Sequence, residues 1–138
     1  MKNIQRLLNL AAELRDPETG CAWDKKQTFK SLTKYTLEEA YEVIDAIERE
    51  DMTELQSELG DLLFQVVFYA QIASEQALFD FDKVAGDVTD KLIRRHPHIF
   101  SDVVYANEQE QQQAWNEIKA LERQYKSDNT DTILSGVA

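Results

Sequence analysis

The sequence predicts an all-α fold, a bundle of four to five helices. Three observations carry this. Apolar residues recur three and four positions apart through successive stretches of the 138-residue chain, the spacing of one helix face. Two such stretches, on either side of Arg49–Met52, are joined by a break short enough for an antiparallel hairpin. Breakers and caps stand where the periodicity stops: Asp16, Pro17 and Gly20 early in the chain, Pro97 late.

The first helix is expected over Asn3–Arg15, with Ile4, Leu7, Leu8, Leu10, Ala11 and Leu14 as its stripe. A loop follows to about Thr28 and holds Trp23. That tryptophan reads as a core anchor, since aromatic side chains mostly contribute buried area. A flat surface for a base is the other reading. The next helix has two possible starts. Thr36, with Glu39 three residues on, has capping-box spacing; otherwise the helix begins near Phe29. Leu37, Ala40, Tyr41, Ile44 and Ile47 form its apolar stripe, read as core-facing. Asp51 or Thr53 caps the following helix. Leu55, Leu59, Leu62, Leu63, Val66, Val67 and Ala70 cover a wide arc of it, and a helix apolar nearly all round is buried on several sides. In a chain this short, that points to a dimer at least.

Asp80 or Asp82 opens another helix, with Phe81, Val84, Val88 and Leu92 in a row, ending at Arg95 or His96 because Pro97 disfavours helix just before it. A last helix is expected from Asn107 to Tyr125. Residues 1–125 form the domain, and residues 126–138 read as a polar tail or the start of a linker.

Composition narrows the function. A net charge of −11 argues against a nucleic-acid polymer as partner, because that binding runs on clustered Lys and Arg. A nucleotide site here must bring its own cations. The one cysteine, Cys21, allows no intrachain disulfide and fits a reducing compartment. No apolar run reaches the ~18 residues of a membrane span. The chain is read as cytoplasmic.

Glu39 and Glu42 share one helical face, as do Glu58 and Asp61 on the next helix. In a hairpin the two pairs can meet. Two carboxylates about 5 Å apart repel by roughly 3 kcal/mol at an effective dielectric of 20. A divalent cation would offset this, and all-oxygen donors suit Mg²⁺ or Mn²⁺ better than Zn²⁺. Acidic residues at this spacing also occur as a solvated face, and spacing alone does not separate the two. Lys91, Arg94 and Arg95 are the densest positive cluster. They complement a helix C-terminus or grip phosphate. Trp115 and Lys119 share a face, either as a packed ring under a lysine stem or as a ligand-facing pair. His96 and His98 flank Pro97 without the third His or Cys of a zinc site; a backbone hydrogen bond is the simpler role. No GxxxxGK[ST] occurs, which excludes a P-loop. Neither histidine follows a Glu by three residues, against a di-iron bundle.

Several separated segments resemble the MazG family of nucleoside triphosphate pyrophosphohydrolases. These are EExxE at Glu38, Glu39 and Glu42, ExxD at Glu58 and Asp61, Leu14–Thr28, Asp90–Phe100, and W-x-x-x-K at Trp115 and Lys119. The resemblance implies a dimer-forming all-α enzyme that splits ribo- or deoxynucleoside triphosphates into a monophosphate and pyrophosphate. It implies Mg²⁺ at Glu39, Glu42, Glu58 and Asp61. Glu38 would serve as an outer ligand or base. Lys91 and Arg95 would act on the phosphates, with Arg94, Trp115, Lys119 and Trp23 also on the substrate side. Some family members carry two such domains in tandem, and this chain resembles the first half of one. A catalytically weak domain that dimerises or binds nucleotide is the alternative.

Overall fold

A computed structural model describes the backbone of residues 1–135 and the side chains of residues 1–128. The all-α expectation holds: among the described residues there are seven helices and no strand. They are α1 (Lys2–Leu14), α2 (Ala22–Lys25), α3 (Phe29–Glu48), α4 (Met52–Glu75), α5 (Phe81–Arg95), α6 (Pro97–Phe100) and α7 (Glu108–Ser135). The short α2 and α6 add to the five long helices foreseen. The chain divides into two compact units, Met1–Ala85 and Gly86–Ala138.

The first unit is built on the α3–α4 hairpin, with α1 against α4. α3 starts at Phe29, not Thr36. Thr28 and Ser31 form a reciprocal capping box, each side chain bonding the other's backbone N–H at 3.1 and 2.8 Å. Ser31 replaces the usual Glu or Gln at that place, so the signal was easy to miss. Thr36 lies within the helix, two turns on. Asp51 caps α4 as expected, its Oδ1 accepting the Glu54 N–H at 3.0 Å. Asp80 does the same for α5 through the Lys83 N–H.

Both long helices close with the chain turning left-handed on a residue that bears a side chain: Glu50 at φ 56° and Ala77 at φ 58°. The Asp51 N–H then reaches back to the Ala46 carbonyl, and the Leu78 N–H to the Ala73 carbonyl. These are Schellman closures, in which glycine is the usual occupant.

The core lies between α1, α3 and α4. Leu32, Phe68 and Ile72 form its centre, with Phe29, Tyr35, Phe64 and Tyr69 packed around them. One expectation is corrected here. The stripe Leu37–Tyr41–Ile44–Ile47 does not face this core; Leu37 is 60% and Tyr41 63% exposed. The face of α3 turned inward runs through Leu32, Thr36, Glu39, Val43 and Ala46, all buried or half-buried. Each residue turns a helix by about 100°, so Leu37 and Tyr41 fall on the adjoining face, which nothing in this unit covers. On α4, Val67 and Ala70 are buried as foreseen, whereas Leu59, Leu63 and Val66 stay exposed.

The Leu14–Thr28 loop is tightly made. Asp16 Oδ1 accepts the N–H groups of Glu18 and Thr19, and Cys21 N–H closes onto the Leu14 carbonyl. Gly20 has no room for a side chain: a Cβ there would sit 2.5 Å from the carbonyl oxygens of Leu14 and Asp16. Arg15 fastens the loop. Its Nη1 donates to the Asp24 and Gln27 carbonyls, while Nε and Nη2 grip the Glu75 carboxylate at 2.9 and 2.7 Å.

The second unit contains the end of α5, then α6 and α7. α7 continues to Ser135, past Tyr125 where the helix was expected to end. Residues 136–138, the last of the anticipated tail, lie outside the described residues. His96 takes the predicted backbone role, its Nδ1 2.6 Å from the Leu92 carbonyl.

Candidate metal centre and basic cleft

The register of the hairpin decides which carboxylates meet. Leu32 packs on Phe68 and Ile72, and one turn further Thr36 Oγ1 lies 3.0 Å from Gln65 Oε1 and also bonds the Tyr69 hydroxyl. Each turn forward on α3 is a turn back on α4. Glu39, the next inward position, therefore arrives opposite Asp61 and Glu58. Each of the three offers a carboxylate oxygen, and these oxygens all lie within 4.8 Å of one another. Glu39 and Glu58 are half-buried and Asp61 is exposed.

Glu42 is not part of that threesome, although its charge is felt there. Burial above all, then Asp61, Glu38 and Glu42, raises the Glu39 pKa. A hydrogen bond that protonated Glu58 donates to Glu54, followed by burial and the charge of Asp61, lifts Glu58 to about 7. Glu54 was not singled out from the sequence. Its place one turn before Glu58 was the available signal. Glu38 is exposed beside Glu39.

A hard divalent cation fits these residues. The donors are all carboxylate oxygens, they gather from two helices, and the Glu54 hydrogen bond, burial and the charges of Asp61, Glu54 and Glu42 all raise the Glu58 pKa. An octahedral Mg²⁺ sets its oxygens about 3–4 Å apart, so the observed spread needs only small side-chain rotations to close.

In the second unit a cleft of about 880 Å³ is lined by α5 and α7. Lys91, Arg94, Arg95 and Lys119, all foreseen, line it together with Arg123 and Lys126, which were not. Among the described lining residues Glu122 is the one carboxylate. It holds Arg95 at 2.8 Å and Arg94 at 3.4 Å, and these arginines keep its pKa low. Ile118, Leu121 and Tyr125 add apolar surface.

The two tryptophans depart from the simplest readings. Trp23 is not a buried anchor: it is 51% exposed and meets Tyr35 edge-on at 5.7 Å. Trp115 is half-buried with the Lys119 ammonium 4.7 Å from its ring centre. Among the described residues its buried Nε1–H meets no partner, nor does His98 Nδ1.

An all-α hairpin whose two helices converge three carboxylates defines the class: a helical domain with a candidate divalent-cation centre. The model of the MazG nucleotide pyrophosphohydrolase domain matches residues 27–100. The chain belongs to the MazG family, in line with the resemblance of its motifs. It is 54% identical over 130 residues to the nucleoside triphosphate pyrophosphohydrolase of Escherichia coli K12, covering 94% of this chain and 49% of that protein. It is 46% identical over 121 residues to the nucleoside triphosphate pyrophosphohydrolase/pyrophosphatase MazG of Thermotoga maritima, covering 87% and 45%. To the nucleoside triphosphate pyrophosphohydrolase of Mycobacterium tuberculosis it is 38% identical over 125 residues, covering 89% and 38%. The chain spans about half the length, or less, of these relatives.

Proposed function

We propose that this chain hydrolyses nucleoside triphosphates, ribo or deoxy, to a monophosphate and pyrophosphate. The observation that carries the reading is the meeting of Glu39, Glu58 and Asp61 from two helices within 4.8 Å. Family membership and the names of the relatives support it, and attack at the α-phosphorus rests on them alone.

Glu39, Glu58 and Asp61, with Glu42 beside them, would hold Mg²⁺ or Mn²⁺. When bound, such a cation offsets phosphate charge and supplies a more acidic water. Glu38 orients the attacking water and takes its proton. Lys91 and Arg95 stabilise the charge that builds on the departing pyrophosphate, and Arg94 and Lys119 add to the field that draws in the polyphosphate. Trp23 and Trp115 offer ring surfaces for the nucleoside.

The protein acts as a homodimer or higher oligomer in this reading, joined through the uncovered apolar residues Leu37, Tyr41, Leu59 and Leu63. Light scattering on the purified chain tests this. A cytoplasmic setting accords with an exposed free Cys21 and with the absence, among the described residues, of a helix long and apolar enough to cross a membrane.

The deciding experiment presents a panel of nucleoside triphosphates with Mg²⁺ and measures pyrophosphate and orthophosphate separately. The expected result is pyrophosphate release, abolished in Glu42→Ala and Asp61→Ala together with Mg²⁺-induced thermal stabilisation. A wild-type chain that releases no pyrophosphate overturns it. Should Mg²⁺ still stabilise that chain, the second reading stands: a nucleotide-binding domain without turnover.

A further inference from the structure

The Arg95 guanidinium is gripped from the side. Its Nε lies 3.0 and 3.3 Å from the two Glu122 oxygens, and its Nη2 lies 2.8 Å from Oε2. Both side chains are only 19% exposed. This grip uses the Nε/Nη2 edge. The remaining N–H groups, both of those on Nη1 among them, meet no acceptor among the described residues. A guanidinium offers a second, end-on fork for a planar or tetrahedral oxyanion when its side edge is already engaged. Arg94 is held by the same carboxylate at a looser 3.4 Å and is 58% exposed. The cleft beside them carries Lys91, Lys119, Arg123 and Lys126.

We propose that Glu122 is a positioning residue: it clamps Arg95 side-on so that the end-on edge of the guanidinium faces the cleft, ready for a polyphosphate. This rests on the reading of the cleft as the phosphate site. Two other roles are physically distinct. Glu122 could be an occupant that a phosphate must displace, or a strut that only ties α5 to α7. Charge separates them. Removing Glu122 leaves the cleft one unit more positive, and Coulomb attraction alone would then tighten anion binding. Loss of orientation weakens it instead, because an unclamped arginine must be ordered anew for each ligand.

The test titrates inorganic tripolyphosphate, without metal, into the intact chain and its variants, and follows NTP hydrolysis in parallel. Wild type binds the probe, and Arg95→Ala abolishes binding. Glu122→Gln, nearly the same shape but unable to grip with two anionic oxygens, weakens it about tenfold or more. Glu122→Asp recovers part of the loss. In turnover the Glu122 variants raise KM for the triphosphate by a similar factor, and kcat falls as well because Arg95 also meets the charge on the departing pyrophosphate. Glu122→Gln is the main probe because it is the variant most certain to fold, checked by its helical circular dichroism. Tighter binding in Glu122→Gln overturns the proposal in favour of an occupant. A lowered Tm with unchanged binding and KM overturns it in favour of a strut. A wild type that binds no tripolyphosphate also overturns it. If tripolyphosphate binding depends on Glu122 but no nucleoside triphosphate is cleaved, the positioning role survives and the hydrolase reading fails.

Discussion

Thr36 and Gln65 form a polar rung across the α3–α4 hairpin: Thr36 Oγ1 donates to Gln65 Oε1 at 3.0 Å. The hydroxyl has one proton, which Gln65 shares with the Leu32 carbonyl at 3.2 Å, so Tyr69, whose oxygen also contacts Thr36, donates to it in turn. This rung lies one turn from the carboxylate cluster and between it and the Leu32–Phe68 packing. It pins the register on which the cluster depends.

Replacing Thr36 with Val keeps the shape and removes all three contacts of the hydroxyl. We expect a loss of about 1–2 kcal/mol in urea unfolding, since Gln65 and Tyr69 are left with unmet groups. In a double-mutant cycle, Thr36→Val and Gln65→Leu together cost less than the sum of the two singles. Additivity would show that the rung is incidental.

Glu58 makes stability depend on pH in an unusual direction. Its pKa is lifted from the ordinary carboxylate range to about 7. Between roughly pH 4.5 and 7 the folded chain then binds more protons at this site than the unfolded chain, and ∂ΔG/∂pH is negative. The metal-free protein should lose stability from this group as pH rises through that window and level off above it. Glu58→Gln flattens the slope. Glu75, held low by Arg15, and Glu122, held low by Arg95, act oppositely. Their contribution is present above the normal carboxylate pKa and is lost as pH falls through their lower folded values. Urea unfolding at pH 5, 6 and 7.5 without divalent cations checks Glu58, and extending the series down to about pH 3 checks Glu75 and Glu122.

Two glycines should respond in opposite ways. Around Gly60, between Glu58 and Asp61 in mid-α4, a Cβ would meet nothing within 4 Å. Gly60→Ala should stabilise the isolated chain by roughly 0.5–1 kcal/mol. If it abolishes turnover without harming the fold, the open space serves a ligand or a partner subunit. Gly20→Ala forces a Cβ to within 2.5 Å of two carbonyl oxygens. It should lower Tm by several degrees, and an unchanged Tm would count against the tight loop.

Arg15 is irreplaceable by lysine. Its fork serves Glu75 while Nη1 serves two loop carbonyls, and the group lies 5.7 Å from the centre of the Phe68 ring. A lysine offers one point of attachment. Arg15→Lys should cost about 2 kcal/mol, discounted for the partial exposure of Glu75. In a Trp115→Phe background the emission of Trp23 should shift to the red as its loop loosens. Unchanged emission would show that the loop stands without Arg15.

Much of the architecture was legible because helical periodicity and capping chemistry are local. Asp51, Asp80 and Pro97 sit at helix boundaries as read, and of the pairs Glu39/Glu42 and Glu58/Asp61 that i, i+3 spacing marks, Glu39, Glu58 and Asp61 come together. What stayed hidden depends on partners distant in the chain. Nothing near Arg95 announces Glu122, which is 27 residues away. The inward face of α3 is chosen by α4, and it passes over Thr36 and Glu39 in preference to the more apolar Leu37 and Tyr41. Trp23 looked like an anchor by composition, yet the loop that carries it is closed by backbone bonds and Arg15, so its ring is not needed inside.

The eight buried side chains among the described residues, from Ala11 to Ala73, all lie in the first unit. They are drawn together by a hairpin of near neighbours, the kind of topology that closes quickly because little loop entropy is lost. During synthesis, domains order as units from the N-terminal end. The α3–α4 hairpin and its hydrophobic centre can therefore settle before α7 has left the ribosome. The carboxylate cluster is ordered first, and the arginines and lysines of the cleft follow in a unit of their own.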